Sequence, residues 1–67
     1  MSIRKWVSFH AGRKYLIEEA PDIGFYFYVF EGPADVADYL QDTLEAAKEQ
    51  ALEDYSVPLE SWQEQRG

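Results

Sequence analysis

Ser8 and His10 are the pair of side chains in this sequence whose types and spacing come closest to nucleophilic catalysis. A serine nucleophile needs a base within hydrogen-bond reach and a third group that orients the base. His10 is the only histidine of the 67-residue chain, and there is no cysteine. The pattern supplies no orienting group, so we interpret the pair as polar residues near a hairpin tip. We expect a protein that is not an enzyme.

Acidic residues form two groups that could bind cations or basic partners. The first group offers the oxygen ligands that Mg²⁺ and Ca²⁺ prefer, but its spacing departs from an EF-hand loop and the central glycine is missing. We interpret it as loop and capping carboxylates, and we expect no metal site and no cofactor. The second group has helical spacing and indicates a solvated face, or alternatively a docking strip for a basic partner. The groups are Asp35, Asp38 and Asp42, and Glu45, Glu49 and Glu53.

The stretch GFYFYVFEG, residues 24–32, reads as a strand with no polar side. Neighbouring side chains of a strand point to opposite faces. One face would carry Phe25, Phe27 and Val29, and the other would carry Tyr26, Tyr28 and Phe30. A core can bury only one of these faces, so the strand raises the question of what covers the second.

The elements around this stretch predict an α+β fold. IRKWVSFH and RKYLIEE read as strands joined at Ala11-Gly12, and Pro21-Asp22-Ile23-Gly24 reads as the next turn. We predict a three- or four-stranded antiparallel sheet with one C-terminal helix packed on one face, β-β-β-(β)-α. Residues 1–62 would form a single small domain, and residues 63–67 a polar tail.

The helix is predicted to begin after Asp42, which can cap it together with Glu45 in a capping-box arrangement. It would run to about Tyr55. Residues 34–41 fit either a helix or a short fourth strand, and the capping signal favours the strand. The apolar stripe of the helix is narrow, so it can cover only one face of the sheet.

The face beneath the helix is chosen so that the charged residues of the first two strands lie outside. This choice predicts a core of Val7, Phe9, Tyr15, Ile17, Phe25, Phe27 and Val29. The opposite face would then form a partner-binding surface of Trp6, Leu16, Tyr26, Tyr28 and Phe30, edged by Arg4, His10 and Lys14.

Charge and composition limit the function classes. The net charge of −7 argues against general binding to phosphate or anionic membranes. The charge is uneven, because residues 1–17 carry four basic side chains and no acid, whereas residues 18–67 carry all 13 acids. The start lacks the apolar segment of a signal peptide and no run approaches a membrane span. We expect a cytoplasmic protein with no membrane contact.

The stretch QDTLEAAKEQALEDY, residues 41–55, together with the preceding strands, resembles the HicB antitoxin family over about residues 13–55. That family has a similar G-D-T-L-E-E-A entry to its helix after a three-stranded sheet. Gln41 stands where the family has glycine, and no DNA-binding segment follows. The resemblance implies a partial RNase-H-like βββα domain that dimerises and binds a small basic toxin.

Three partners are therefore compatible with the predicted surface. A homodimer or another protein would use the tyrosines and tryptophan as anchors, because such side chains combine a large contact area with a polar tip. Single-stranded RNA or DNA would stack on the same rings, and IGFYFYVF overlaps the RNP1 pattern at Gly24, Phe25, Phe27 and Phe30. The predicted function is a non-enzymatic protein-interaction or homodimerisation module, with nucleic acid or a HicB-type toxin as alternatives.

Overall fold

The chain folds into five strands and one helix, which the computed structural model describes over residues 3–66. In chain order the elements are β1 (Arg4–His10), β2 (Arg13–Ala20), β3 (Gly24–Glu31), β4 (Ala34–Gln41), α1 (Leu44–Tyr55), a 3₁₀ turn (Leu59–Ser61) and β5 (Gln63–Arg66). The strands form one antiparallel sheet in the order β4-β3-β2-β1-β5. The predicted α+β fold is confirmed, with one strand more than expected.

The first two of the three hairpin turns within residues 3–66 use backbone conformations with positive φ. Ala11 and Gly12 join β1 to β2 with φ angles of 52° and 78°, as a two-residue type I′ turn requires. Residues 21–23 join β2 to β3. Gly24 then has a φ of 146°, and a Cβ at this position would overlap the backbone carbonyl oxygen of Gln41. Glycine is therefore required where β3 begins beside the end of β4.

The first hairpin places Trp6 rather than Val7 and Phe9 beneath the helix. The two-residue turn sets Trp6 opposite Ile17, and opposing residues of an antiparallel pair share a face. Trp6 is only 4% exposed, whereas Phe9 is 75% exposed on the other face. The expectation that Val7 and Phe9 lie in the core is wrong, because it assigned the faces of β1 from charge and not from the length of the turn.

Residues 34–41 form the edge strand β4, in agreement with the favoured interpretation. Tyr39 lies opposite Phe27 on β3, so the side chains of both strands meet under α1. The register shifts between Val29 and Phe30. This irregularity sits near the turn that joins the two strands, and it does not disturb the pairing under the helix.

The helix is capped by Thr43 and not by Asp42. The Thr43 hydroxyl oxygen accepts a hydrogen bond from the backbone N–H of Ala46 at 3.0 Å. The predicted end of the helix at Tyr55 is confirmed. No helix within residues 3–66 has the length and apolar character needed to cross a membrane.

Aromatic rings from the sheet fill the space that the small residues of α1 leave. Ala47 and Ala51 are fully buried, and Phe27 is fully buried beneath them. The Tyr39 and Tyr55 hydroxyls share a hydrogen bond of 2.8 Å. The ring centroid of Phe27 lies 5.7 Å from Tyr39, 6.0 Å from Tyr55, 6.3 Å from Tyr15 and 6.3 Å from Trp62.

The segment after α1 covers the part of the same face that includes β1. Trp62 is buried against the edge of the core, where its Nε1 has no hydrogen-bond partner. The Ser61 hydroxyl donates to the carbonyl oxygen of Pro58 at 2.7 Å. The Ser8 hydroxyl therefore donates to Ser61 Oγ, also at 2.7 Å. Helix and following segment together close one face of the sheet.

Strand β5 occupies most of the segment predicted as a polar tail. It pairs with β1, with Gln63 opposite Val7, and the Arg4 guanidinium binds the Glu64 carboxylate at 2.9 Å. The tail prediction is corrected for residues 63–66, and residue 67 lies outside the described residues. Strand pairing along the edge of β1 is what orders this polar sequence.

Candidate functional site

The open face is the face of the sheet opposite α1, and its side chains form three rows across the strands. Residues paired in register share a face, so the pairing gives the members of each row. From β4 to β1 the rows are Asp35, Phe30, Lys14 and Phe9; Asp38, Tyr28, Leu16 and Val7; and Leu40, Tyr26, Glu18 and Lys5. Strand β5 extends the face with Gln63 and Gln65.

Three rings of β3 form an aromatic ladder, Tyr26–Tyr28–Phe30, along the open face. The centroids of Tyr26 and Tyr28 are 6.0 Å apart with nearly parallel rings, and Phe30 lies 6.1 Å from Tyr28. Aromatic pairs at this separation contribute roughly 0.5–1.5 kcal/mol beyond the area they bury. The ladder is therefore arranged before any partner arrives, which lowers the entropy cost of binding.

Within residues 3–66, no element of the chain covers the ladder. Helix α1 and the segment after it contact Phe27 and Ser8, which belong to the opposite face. Phe9 and Leu40 remain 75% and 50% exposed on the open face. Contiguous exposed apolar surface larger than a few hundred Å² usually marks an interaction site. The ladder and its apolar neighbours are the strongest candidate for one in this part of the chain.

Charged side chains on the open face are divided between its two sides. Lys5 forms an ion pair of 3.5 Å with Glu18, so these two charges offset each other. Lys14 extends over the ring of Phe30, with its Nζ 5.9 Å from the centroid. Asp35 and Asp38 lie on β4 at the other side. The open face is thus basic near β2 and acidic along β4.

The central tyrosine of the ladder is held in its neutral form. Burial raises the pKa of Tyr28, and the negative charge of Glu18 and Asp38 raises it further. The phenol can therefore present an apolar ring and a hydrogen-bonding hydroxyl, with no charge, to an approaching surface.

The structure brings five of the seven predicted site residues together on the open face: Leu16, Tyr26, Tyr28, Phe30 and Lys14. Trp6 and Arg4 lie on the covered face, where the Arg4 guanidinium sits 4.8 Å from the centroid of the Trp6 ring. His10 was predicted at the edge of the open face. It lies on the same side of β1 as Trp6 and therefore belongs to the covered face. The turn length of two residues would have predicted this reversal.

Among the residues of the open face, the prediction missed Val7, Phe9, Lys5 and Leu40 because β1 and β4 were misassigned or left undecided. Val7 and Phe9 follow once Trp6 is placed opposite Ile17. Lys5 and Leu40 follow from the same alternation along β1 and β4. The correction enlarges the apolar surface on the β1 side and adds a second lysine to it.

The residues considered for chemistry do not assemble into a reactive centre. Ser8 is 2% exposed and its hydroxyl is engaged by Ser61, so it cannot reach a substrate from solvent. Asp35 and Asp38 project from β4 on the open face, away from Asp42 near the helix start. Among residues 3–66, no group of three or more His, Cys, Asp or Glu side chains could hold a metal ion.

One concavity on the open face is a shallow cleft between β3 and β4. It has a volume of about 250 Å³ and is lined by Tyr26, Tyr28, Asp38, Tyr39 and Leu40. Ligand pockets that enclose small molecules usually measure about 300–1,000 Å³. The open face is therefore better suited to a broad contact than to an enclosed ligand.

Comparison of the chain with protein-family models, curated protein sequences and solved structures returns no match. The resemblance to HicB antitoxins, and the toxin partner that it implies, therefore stay predictions.

Proposed function

We propose that this protein is a non-enzymatic interaction module whose open face pairs with a second copy of the same chain. The observation that carries the proposal is the aromatic ladder of Tyr26, Tyr28 and Phe30, which is prearranged and left uncovered by residues 3–66. Two-fold interfaces are self-complementary, and tyrosine is among the favoured interface anchors. Pairing would bury the apolar side of β3 more completely, since the helix does not cover it and its rings are only half-buried.

The size of the open face supports a moderate affinity. Strands spaced about 4.8 Å apart and rising about 3.3 Å per residue give a face of roughly 500 Å². Two copies would bury roughly 1,000 Å² in total, the lower limit of specific protein interfaces. We expect a dimer with micromolar affinity that dissociates on dilution.

Tyr28→Asp tests the proposal, because it puts a charge at the centre of an apolar contact. Sedimentation velocity over a concentration series should show the parent chain moving from monomer to dimer, and the variant should associate at least about ten-fold more weakly. Leu59→Asp is the matched control, since Leu59 is 47% exposed on the 3₁₀ turn and far from the ladder. It should dimerise like the parent. A parent chain that stays monomeric at high micromolar concentration contradicts self-association.

Single-stranded nucleic acid is the second candidate occupant. Phe9 and Lys14 lie in the same row as Phe30, so stacking rings and an ammonium group occur together as in sheets that bind unpaired bases. The acidic side chains of β4 and the net charge of −7 weaken this alternative, and the RNP1-like Phe27 is in the core. Quenching of tyrosine fluorescence by a short oligoribonucleotide, reversed by salt, together with a monomeric parent chain, would favour it over dimerisation.

A further inference from the structure

The orientation of the second copy follows from the division of charge on the open face, and this inference rests on the proposed function. Asp35 and Asp38 lie on β4, at one edge of the sheet. Lys14 lies on β2, on the other side of the ladder. Lys5 is already paired with Glu18 at 3.5 Å, so Lys14 is the lysine of this face without a carboxylate partner among the ion pairs of the described residues.

Two-fold packing of the open face on itself allows two simple arrangements. A two-fold axis that lies in the plane of the interface and perpendicular to the strands places each strand over the equivalent strand of the second copy. Asp38 then faces Asp38 of the second copy across the interface. An axis parallel to the strands reverses the strand order, so that β4 of one copy lies over β1 and β2 of the other. Both arrangements keep the strands of the two sheets aligned within about 30°, as sheet packing prefers, so the placement of the charges has to decide between them.

We propose that the two copies pair with reversed strand order, so that β4 of each copy lies over β1 and β2 of the other, with Asp35 in the row that holds Lys14 of the other copy and Asp38 in the neighbouring row. The contact between an acidic edge and a basic side then occurs twice in the dimer by symmetry. The ladder of one copy lies beside Leu16 and Lys14 of the other, which closes an apolar centre within a charged rim. Asp35, Asp38 and Lys14 are then the residues that determine recognition of self.

Charge reversal tests this arrangement. The double variant D35K/D38K makes both sides of the open face basic, and K14E makes both sides acidic. Each variant alone should self-associate about ten-fold more weakly than the parent chain, because like charges face each other in its homodimer. An equimolar mixture should restore association, since position 35 of one variant then lies in the same row as position 14 of the other and carries the opposite charge. Native mass spectrometry separates the heterodimer from both homodimers by mass.

The matched control removes the effect of net charge. Glu49 and Glu53 are exposed on α1, on the other side of the sheet, and E49K/E53K changes the net charge by the same amount as D35K/D38K. A mixture of E49K/E53K with K14E should show no gain over K14E paired with the parent chain. Circular dichroism of each variant checks that it is folded.

The outcomes separate this inference from the proposed function. If Tyr28→Asp weakens association while both charge reversals leave it unchanged, the open face is the interface but its orientation is not the one proposed. A heterodimer no stronger than that of the helix control overturns the orientation in the same way. If the parent chain is monomeric, the proposed function fails and the orientation fails with it.

Discussion

Trp6 and Phe9 lie three positions apart on β1 and meet opposite surroundings. The Trp6 ring packs 6.0 Å from Phe25 on the covered side and carries the Arg4 guanidinium above it. Phe9 is 75% exposed on the open face. A domain of 67 residues has a small core, so it has few other contacts with which to replace those of a buried indole.

We expect Trp6→Ala to lower the free energy of unfolding by about 3–5 kcal/mol, because it leaves a large cavity. Phe9→Ala should change the free energy of unfolding of the monomer by no more than about 0.5 kcal/mol. Urea denaturation followed by circular dichroism, at a concentration where the chain is monomeric, measures both. If Trp6→Ala does not fold, Trp6→Phe takes its place and should still cost more than Phe9→Ala. The reverse ranking would contradict the register of the first hairpin.

The placement of single residues was predictable wherever local alternation decided it. Tyr26, Tyr28 and Phe30 share a face because the period of a strand is two, whatever the sheet does. The placement of Trp6 depends on how two strands are aligned, and the length of the Ala11-Gly12 turn determines that alignment. Charge was a poor guide to which side chains of β1 lie on the covered face. Arg4 lies on that face although it is charged, because its guanidinium binds Glu64 on the edge strand β5.

At the scale of the element, the start of α1 shows how closely spaced capping residues compete. Asp42 and Thr43 are both good N-cap residues. Thr43 has the extended backbone of a cap, with φ −133° and ψ 158°, and its hydroxyl oxygen accepts the Ala46 N–H. A capping box needs its glutamate three positions after the N-cap. Glu45 is three positions after Asp42 but only two after Thr43, so it does not complete a capping box with the cap that forms.

Thr43→Ala should lower the free energy of unfolding by about 1 kcal/mol, since it leaves a backbone N–H of the first turn without its acceptor. Asp42→Ala should cost distinctly less, because its carboxylate has no capping bond in the described structure. Thermal denaturation of the two variants beside the parent chain measures the difference. Equal losses, or a larger loss for Asp42→Ala, would contradict the assignment of the cap.

Two elements show where the prediction of the fold reached its limit. The spacing of Val36, Leu40 and Leu44 fits a helix, and residues 34–41 become a strand because β3 has an edge that can pair. The Q-E-Q-R sequence of β5 has no apolar alternation, so nothing local identifies a strand there. Its order comes from backbone pairing with β1 and from the Arg4–Glu64 ion pair.

At the scale of the whole molecule, β5 forms one edge of the sheet, and the covered face of that sheet is closed by α1 and the segment after it. Deleting residues 63–67 removes the pairing with β1, and we expect the free energy of unfolding to fall by roughly 2–4 kcal/mol, at about 0.5–1.5 kcal/mol for each backbone hydrogen bond lost. The control is the double variant Gln63→Ala and Gln65→Ala, which keeps the backbone pairing and should change little. Guanidinium denaturation compares them. A deletion without effect would favour the frayed polar tail over a strand.

The two faces of the sheet also separate the tryptophans from the aromatic ladder. Both tryptophans, Trp6 and Trp62, are buried on the covered face, at 4% and 9% exposure, whereas Tyr26 and Tyr28 stand on the open face. Excitation selective for tryptophan therefore follows unfolding. Tyrosine emission comes from both faces, because Tyr15, Tyr39 and Tyr55 belong to the covered side, so a change in tyrosine emission at constant tryptophan emission reports a partner on the ladder. One unlabelled sample can in this way report loss of structure and arrival of a partner as two separate optical signals.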